Sequence, residues 1–343
     1  MTLALRSALT IALLSSVCAI LCAQDSAGPQ QPVARVSGAV LTLGDLQARQ
    51  SGKLLQAEYQ YYLSERKALE EAIDDRLLED AAKARHLSLD ELLEKEVYKD
   101  VKDPTEDQLK VYYEGLDTQE PYDSIRGEVL QHIRDLRRTK ARAAYVEQLR
   151  KQAQINILLM PPSANVNTAK AFARGDRNAP VVLVEFADYE CPYCQKVNPQ
   201  IARLKKEFGD SLTVIYKDFP LPMHHSAQKA AEASRCAGEQ GKYWEYHDVL
   251  YGSKALEPDA LKEHARVLQL DTARFDECLD KGAQAQAVKA DLEEAKSLGL
   301  TGTPSFFVNG HFFSGVIDYA VLRDNINQQL NMVAAKRQML SKK

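Results

Sequence analysis

The run Val181-Val182-Leu183-Val184-Glu185-Phe186-Ala187 leads through Asp188-Tyr189-Glu190 into Cys191-Pro192-Tyr193-Cys194. A short apolar run bounded by turn residues reads as a buried strand, and proline suits the first position of a helix. The two cysteines therefore sit where a strand gives way to a helix, close enough to close into a disulfide. A helix start presents unpaired N–H groups and a partial positive charge, which favour a thiolate on the first cysteine. The thiolate is the species that attacks disulfides, so this placement predicts a redox dithiol. A zinc site is the competing reading, since Cys-x-x-Cys opens many of those. Such sites normally need a second ligand pair, and no further Cys-x-x-Cys, His-x-x-Cys or His-x3-His lies near this one. No metal and no cofactor is expected.

Farther along, Gly302-Thr303-Pro304 precedes the strand-like Ser305-Phe306-Phe307-Val308, which turns at Asn309-Gly310 into His311-Phe312-Phe313. Alone, this is a turn with proline at a strand's first residue. Beside the dithiol it resembles the cis-proline loop of thioredoxin-fold proteins, which faces the cysteines and contacts the substrate chain. Val184 to Cys194, Lys217-Asp218-Phe219-Pro220-Leu221 and the stretch from Cys236 to Asp248 resemble the DsbA-like branch, the extracytoplasmic thiol–disulfide oxidoreductases. The resemblance covers about 178–330. It implies an α/β thioredoxin fold with a helical insertion over 179–333, the insertion lying between a strand at 212–218 and Pro304. Expected helices run at 192 onward with a bend at Pro199, then 224–240, 242–251, 258–268, 272–279, 283–298 and 318–333, with a frayed tail over 334–343.

The resemblance also implies roles. Cys191 is the attacking cysteine and Cys194 the more buried partner that resolves the mixed disulfide; Pro192 and Tyr193 tune the thiolate, and Thr303 and Pro304 form the substrate-contacting loop. In the strongest oxidases of this branch the second intervening residue is histidine. Tyr193 cannot add that positive charge, so the expected pKa is depressed, but less than to about 3.5. Glu185, six residues before Cys191, matches the buried acid beneath the dithiol in thioredoxin-like families, where burial raises its pKa and lets it take the proton from Cys194. The alternative is an ordinary acid facing water. Cys236 and Cys278 each fall on an expected helix; a structural disulfide and two buried free thiols are the alternatives, and an oxidising compartment favours the disulfide. His224 and His225 read as ordinary surface or helix-start residues.

The first residues read as a secretion signal over 1–23: Arg6, an apolar run from Ala8 to Leu21, and the small Ala23 before Gln24. The run is shorter than the roughly 20 residues a membrane span needs. Cys22 raises a lipoprotein alternative, which the bulky Leu21 before it disfavours. Removing the signal takes Cys18 and Cys22 from the six cysteines, leaving Cys191, Cys194, Cys236 and Cys278, a set suited to an oxidising compartment. A net charge of −4 argues against nucleic acid as a partner.

Between signal and dithiol, residues 24–160 read as mainly α-helical after a strand–turn–strand at 33–42. Thr42 caps the first helix, Leu69, Ile73, Leu77 and Ala81 make an apolar stripe, and Ser88 with Glu91 forms a capping box. Helices follow from Pro104 and Pro121. Ile155-Asn156-Ile157-Leu158-Leu159 reads as a closing strand, and 161–178, opening on Pro161-Pro162, as a semi-rigid linker. The Val-x-Gly entry, Ala72-Ile73-Asp74-Asp75-Arg76-Leu77-Leu78 and the long helix ending at 155–159 resemble the chaperone region of SurA-like periplasmic prolyl isomerases. No isomerase domain fits between Gly115 and Pro121. A helical spacer or oligomerisation module is the alternative.

Together these readings imply a periplasmic or secreted oxidoreductase that exchanges disulfides with cysteines of unfolded secreted proteins through Cys191, reset by a redox partner. Disulfide isomerase or reductase is the alternative activity, since Thr303 before Pro304 and the Pro192-Tyr193 pair resemble the isomerase branch. A chaperone whose thioredoxin-like half only grips clients is the alternative class.

Overall fold

The computed structural model describes residues 28–341, so the signal expected over 1–23, with Cys18 and Cys22, lies outside the described residues. Strands β1 (Pro32–Val36) and β2 (Ala39–Thr42) pair antiparallel around Ser37 and Gly38. Both turn residues have positive φ, 50° and 85°, as a two-residue hairpin turn demands. Thr42 then caps α1 (Leu43–Ala84) reciprocally: Asp45 N donates to Thr42 Oγ1 at 3.1 Å, and Thr42 N donates to Asp45 Oδ2 at 2.9 Å. The helix breaks once, at Gln50, where φ is −124°. Ser88 and Glu91 cap the short α2 (Leu89–Leu92), which widens into one π-helical turn at Leu93–Val97. Helices α3 (Glu106–Glu114) and α4 (Tyr122–Gln152) complete this half.

Two small cores hold these helices. Leu78, Ala81, Ala82, Leu92 and Val146 form one; Leu109, Ile125, Val129 and Ile133 form the other. The expected stripe is offset: Leu69, Ile73 and Leu77 are only half-buried, whereas Leu78 is fully enclosed. Residues 155–159 belong to no sheet, contrary to the strand reading. The apolar alternation there is satisfied without a ladder: Leu159 packs on the core of the second half and Leu158 is exposed.

The second half is a five-stranded sheet of order β3-β5-β4-β6-β7. Its members are β3 (Ala173–Arg174), β4 (Val181–Ala187), β5 (Leu212–Asp218), β6 (Ser305–Val308) and β7 (His311–Ser314). Only β4 and β5 run parallel, joined by α5 (Pro192–Phe208), which passes through Pro199. Between β5 and β6 come α6 (Ala227–Gly238), α7 (Tyr243–Ser253), α8 (Pro258–Val267), α9 (Thr272–Asp280) and α10 (Ala285–Ser297), and α11 (Tyr319–Ser341) closes the chain. This is a thioredoxin sheet with a helical insertion between β5 and β6, the arrangement expected from the sequence.

Three boundaries differ from the sequence reading. Strand β3 lies inside the stretch expected to link the halves, because Ala173 and Arg174 pair with Ile215 and Val214. Pro161, Pro162 and Ala164 are fastened to the outer edge of β7: Phe312 N donates to Pro162 O, Ala164 N to Gly310 O, and His311 Nδ1 lies 2.8 Å from Pro161 O. The supposed frayed tail continues α11 to Ser341.

The halves share a core. Leu55, Tyr59 and Tyr62 of α1 are buried with Val184, Phe186, Ile215, Phe307 and Phe312 of the sheet. Gly52 on α1 sits so close to Gly299 that a Cβ on either would collide with the other's backbone. At Gly299 the φ of +70° adds a second reason for glycine.

Candidate active site

Strand β4 delivers the site. Its last residue leads into the turn Asp188-Tyr189-Glu190, where Asp188 O accepts from Cys191 N at 3.1 Å. Cys191 is the residue that caps α5, with extended φ/ψ of −70° and 121°, and Pro192 occupies the first helical position. The cis Thr303–Pro304 bond lies opposite, and the Cys191 thiol donates to Thr303 O at 3.5 Å. The two distant motifs thus meet in space. Pro192 and Tyr193 are exposed at the rim, Tyr193 by 61%.

Both thiols of the pair are free, Cys191 at 2% exposure and Cys194 at 0%. Their protonation is driven apart. A hydrogen bond from Cys194, opposed by burial and helped by Thr303 and the N–H groups of Cys194 and Tyr193, holds the Cys191 pKa down at about 5. Burial, then the neighbouring Cys191 sulfur and Glu185, push the Cys194 thiol far up. One sulfur is a thiolate at neutral pH and the other a thiol, which is the division of labour that exchange requires.

Glu185 occupies the middle of β4, between Tyr216 on β5 and Phe306 on β6, and is 3% exposed. Burial alone pushes its pKa up to about 8, and Oε1 has no hydrogen-bond partner. A strand flanked on both sides and covered by helices keeps such an acid almost wholly away from bulk water. Its charge, when present, acts on Cys194 and helps to raise that thiol.

Cys236 on α6 and Cys278 on α9 form a disulfide, with S–S 2.02 Å and Cα–Cα 6.0 Å, pinning two helices of the insertion. No group of three or more His, Cys, Asp or Glu able to hold a metal exists among the described residues.

The sequence reading missed three features. His224 is not an ordinary surface residue: its Nδ1 lies 2.7 Å from Asp188 Oδ2, and the side chain is 17% exposed. His225 beside it is exposed, as expected. His247 is buried among Tyr189, Tyr216, Trp244 and Tyr251, with Nδ1 3.2 Å from Tyr189 Oη; burial pushes its pKa well down. A buried chain of charges runs Glu294–Lys217–Asp291–Arg235–Asp218. Burial lifts Asp218 to about pKa 6 against the pull of Arg235. Lys217-Asp218 at the end of an otherwise apolar strand was the one signal for that chain; nothing local tied Asp188 to His224.

Residues 167–328 match the sequence model of a family described as thioredoxin. Over 152 residues, 44% of this chain, it is 40% identical to the Na(+)/H(+) antiporter NhaA 3 of Salinispora tropica, and the match spans 23% of that protein. This chain therefore covers about a quarter of the antiporter's length. No helix among the described residues is long and apolar enough to cross a membrane. Among solved structures, oxidised BdbD from Bacillus subtilis is 23% identical, with a TM-score of 0.47, and covers 50% of this chain and 99% of its own. A thioredoxin-like oxidoreductase from Silicibacter pomeroyi is 27% identical, with a TM-score of 0.43, over 48% of this chain and 94% of its own. Over residues 167–328, a little under half of the chain, the sequence is thus similar to the thioredoxin family.

Proposed function

We propose that this chain is a thiol–disulfide oxidoreductase that oxidises cysteines of unfolded secreted proteins in an extracytoplasmic compartment. The observation that carries the reading is the split protonation of one buried pair: Cys191 held near pKa 5 and Cys194 held as a thiol. In the oxidised enzyme, a client thiolate attacks Cys191 Sγ. The Cys191–Cys194 bond breaks, a mixed disulfide forms on Cys191, and Cys194 leaves with the electron pair and takes a proton from Glu185. A second client thiolate then attacks the client sulfur of the mixed disulfide. The client gains a disulfide, Cys191 departs as a stabilised thiolate, and the enzyme holds the two electrons until a redox partner removes them.

A stable Cys191 thiolate stabilises the reduced form, and so favours the oxidising direction. Isomerisation is the alternative, favoured by Thr303 ahead of Pro304 and by Tyr193. The reduction potential against glutathione decides between them. A value near about −120 mV supports an oxidase, and one near about −270 mV a reductase.

The helical half is proposed to hold clients near the dithiol, in the manner of a SurA-like chaperone region. Supporting this, Val111 and Leu136 are exposed by 69% and 52% over an apolar cleft of about 570 Å³ between α3 and α4. Because the halves share a core, severing the chain would damage both. Val111→Asp and Leu136→Glu in the full chain are the cleaner test. They should slow oxidation of a reduced, unfolded protein and leave small-thiol exchange unaltered; equal rates on both substrates would assign the half to spacing or assembly.

A further inference from the structure

Three segments converge on Cys191: the turn leaving β4, the cis-proline loop, and the loop from Phe219 to Ser226 that leaves β5. One buried carboxylate ties the first to the third. Asp188 accepts Glu190 N on Oδ1 and Leu221 N on Oδ2, both at 2.8 Å, and its own carbonyl accepts Cys191 N. The same Oδ2 lies 2.7 Å from His224 Nδ1. His224 is thereby fixed against the turn that carries the attacking sulfur, with Nδ1 committed to Asp188 and no hydrogen-bond partner for Nε2 among the described residues.

We propose that His224 is a positioning residue that supplies the positive charge Tyr193 cannot, stabilising the Cys191 thiolate from outside the Cys-x-x-Cys, so that the oxidising power of the dithiol weakens as His224 loses its proton. This rests on the redox reading above.

The charges facing His224 are Asp188 and Glu190 in the turn and the Cys191 sulfur at the start of α5, with His225 next to it on its own loop. Glu190 is occupied by Ser226 N at 2.8 Å, and Glu257 at the start of α8 accepts from Ser226 Oγ. Burial works against a cation on His224, but the bond and charge of Asp188, with Cys191 and Glu190 behind them, reverse that and hold its pKa above the ordinary 6.5. With the proton on, Asp188 and His224 form a neutral pair. With it off, an unopposed carboxylate is left three residues from the thiolate. The reduced form then loses stability and the disulfide becomes a weaker oxidant. Linkage is reciprocal: forming the thiolate must tighten the proton on His224.

The test uses the full chain as wild type, His224→Gln, which keeps a donor for Asp188, and His224→Lys, which keeps a charge. Each is equilibrated with glutathione from about pH 6 to about pH 9, and the wild-type His224 ring is followed by NMR in both redox states. At the acid end the Gln variant should be a weaker oxidant than wild type by about tenfold, which is about 30 mV. That gap should close as pH rises through the His224 titration, and the Lys variant should hold wild-type behaviour without the decline. The His224 pKa should be higher in the reduced protein. An identical pKa in both redox states, or equal losses in the Gln and Lys variants, overturns the proposal. If wild type does not exchange with glutathione at all, the redox reading itself fails.

Discussion

Tyr59 of α1 stacks edge-on against Phe312 of β7, their ring centroids 4.8 Å apart, and its hydroxyl accepts a hydrogen bond from Ser314 N at 3.1 Å. One residue of the first half thus fills the core of the second and satisfies the backbone at its sheet edge. An exposed outer strand is open to pairing with other chains, and α1 with residues 161–164 covers this one.

Tyr59→Phe should therefore cost about 1–2 kcal/mol, by leaving Ser314 N–H without its partner, and Tyr59→Ala about 3–5 kcal/mol through the cavity it opens. Chemical unfolding followed separately in each half checks this. If the second half unfolds at the same denaturant concentration in all three proteins, the shared core contributes nothing.

Alkylation of the reduced protein should modify Cys191 first, with a rate that inflects near pH 5, where its thiolate forms. Cys194 should stay unlabelled until the protein unfolds, since burial holds it as a thiol. Early labelling of Cys194 would reverse the assigned roles.

Glu185 makes stability depend on pH in a defined direction. Its folded pKa, raised to about 8 from 4.5, means that the native state keeps a proton the unfolded chain has lost. Stability from this group is complete below about pH 4.5 and declines as pH climbs toward about 8, by at most about 5 kcal/mol. Glu185→Gln should flatten that decline and also slow release of the mixed disulfide by attack of Cys194, the reverse of its formation, because Cys194 then lacks the carboxylate that takes its proton. Parallel stability curves for the two proteins across this window, or unchanged release, would place the acid in contact with water instead.

Acid-quenched mass mapping should recover Cys236 and Cys278 in one linked peptide pair. Replacing both with alanine should destabilise the second half by up to about 4 kcal/mol in the chain-entropy model, given the separation of 42 residues. Two free thiols in protein from an oxidising compartment would contradict the pairing.

Capping boxes at Thr42 and Ser88, the hairpin turn at Ser37-Gly38, and the strand–turn–helix that carries Cys191 were all readable in the chain, because each depends on contacts within a few residues. So was the pairing of the dithiol with Thr303-Pro304, since resemblance to the DsbA-like branch supplied the fold that joins them. The strand expected at 155–159 went wrong for a plain reason. Alternating apolar residues fix which side chains want burial, but a strand also needs a free edge to pair with. The nearest edge, that of β7, was already taken by residues 161–164.

By itself, the sequence determined the local elements and the candidate reactive pair at the start of α5, both being matters of short-range backbone chemistry. Tertiary structure alone decided that Tyr59 belongs to the core of the other half and that His224 stands against Asp188, 36 residues away. It also balanced Lys217 and Arg235 against Asp218, Asp291 and Glu294. A buried charge takes its protonation from whatever lies within a few ångströms, and chain separation does not reveal that distance until the fold is complete.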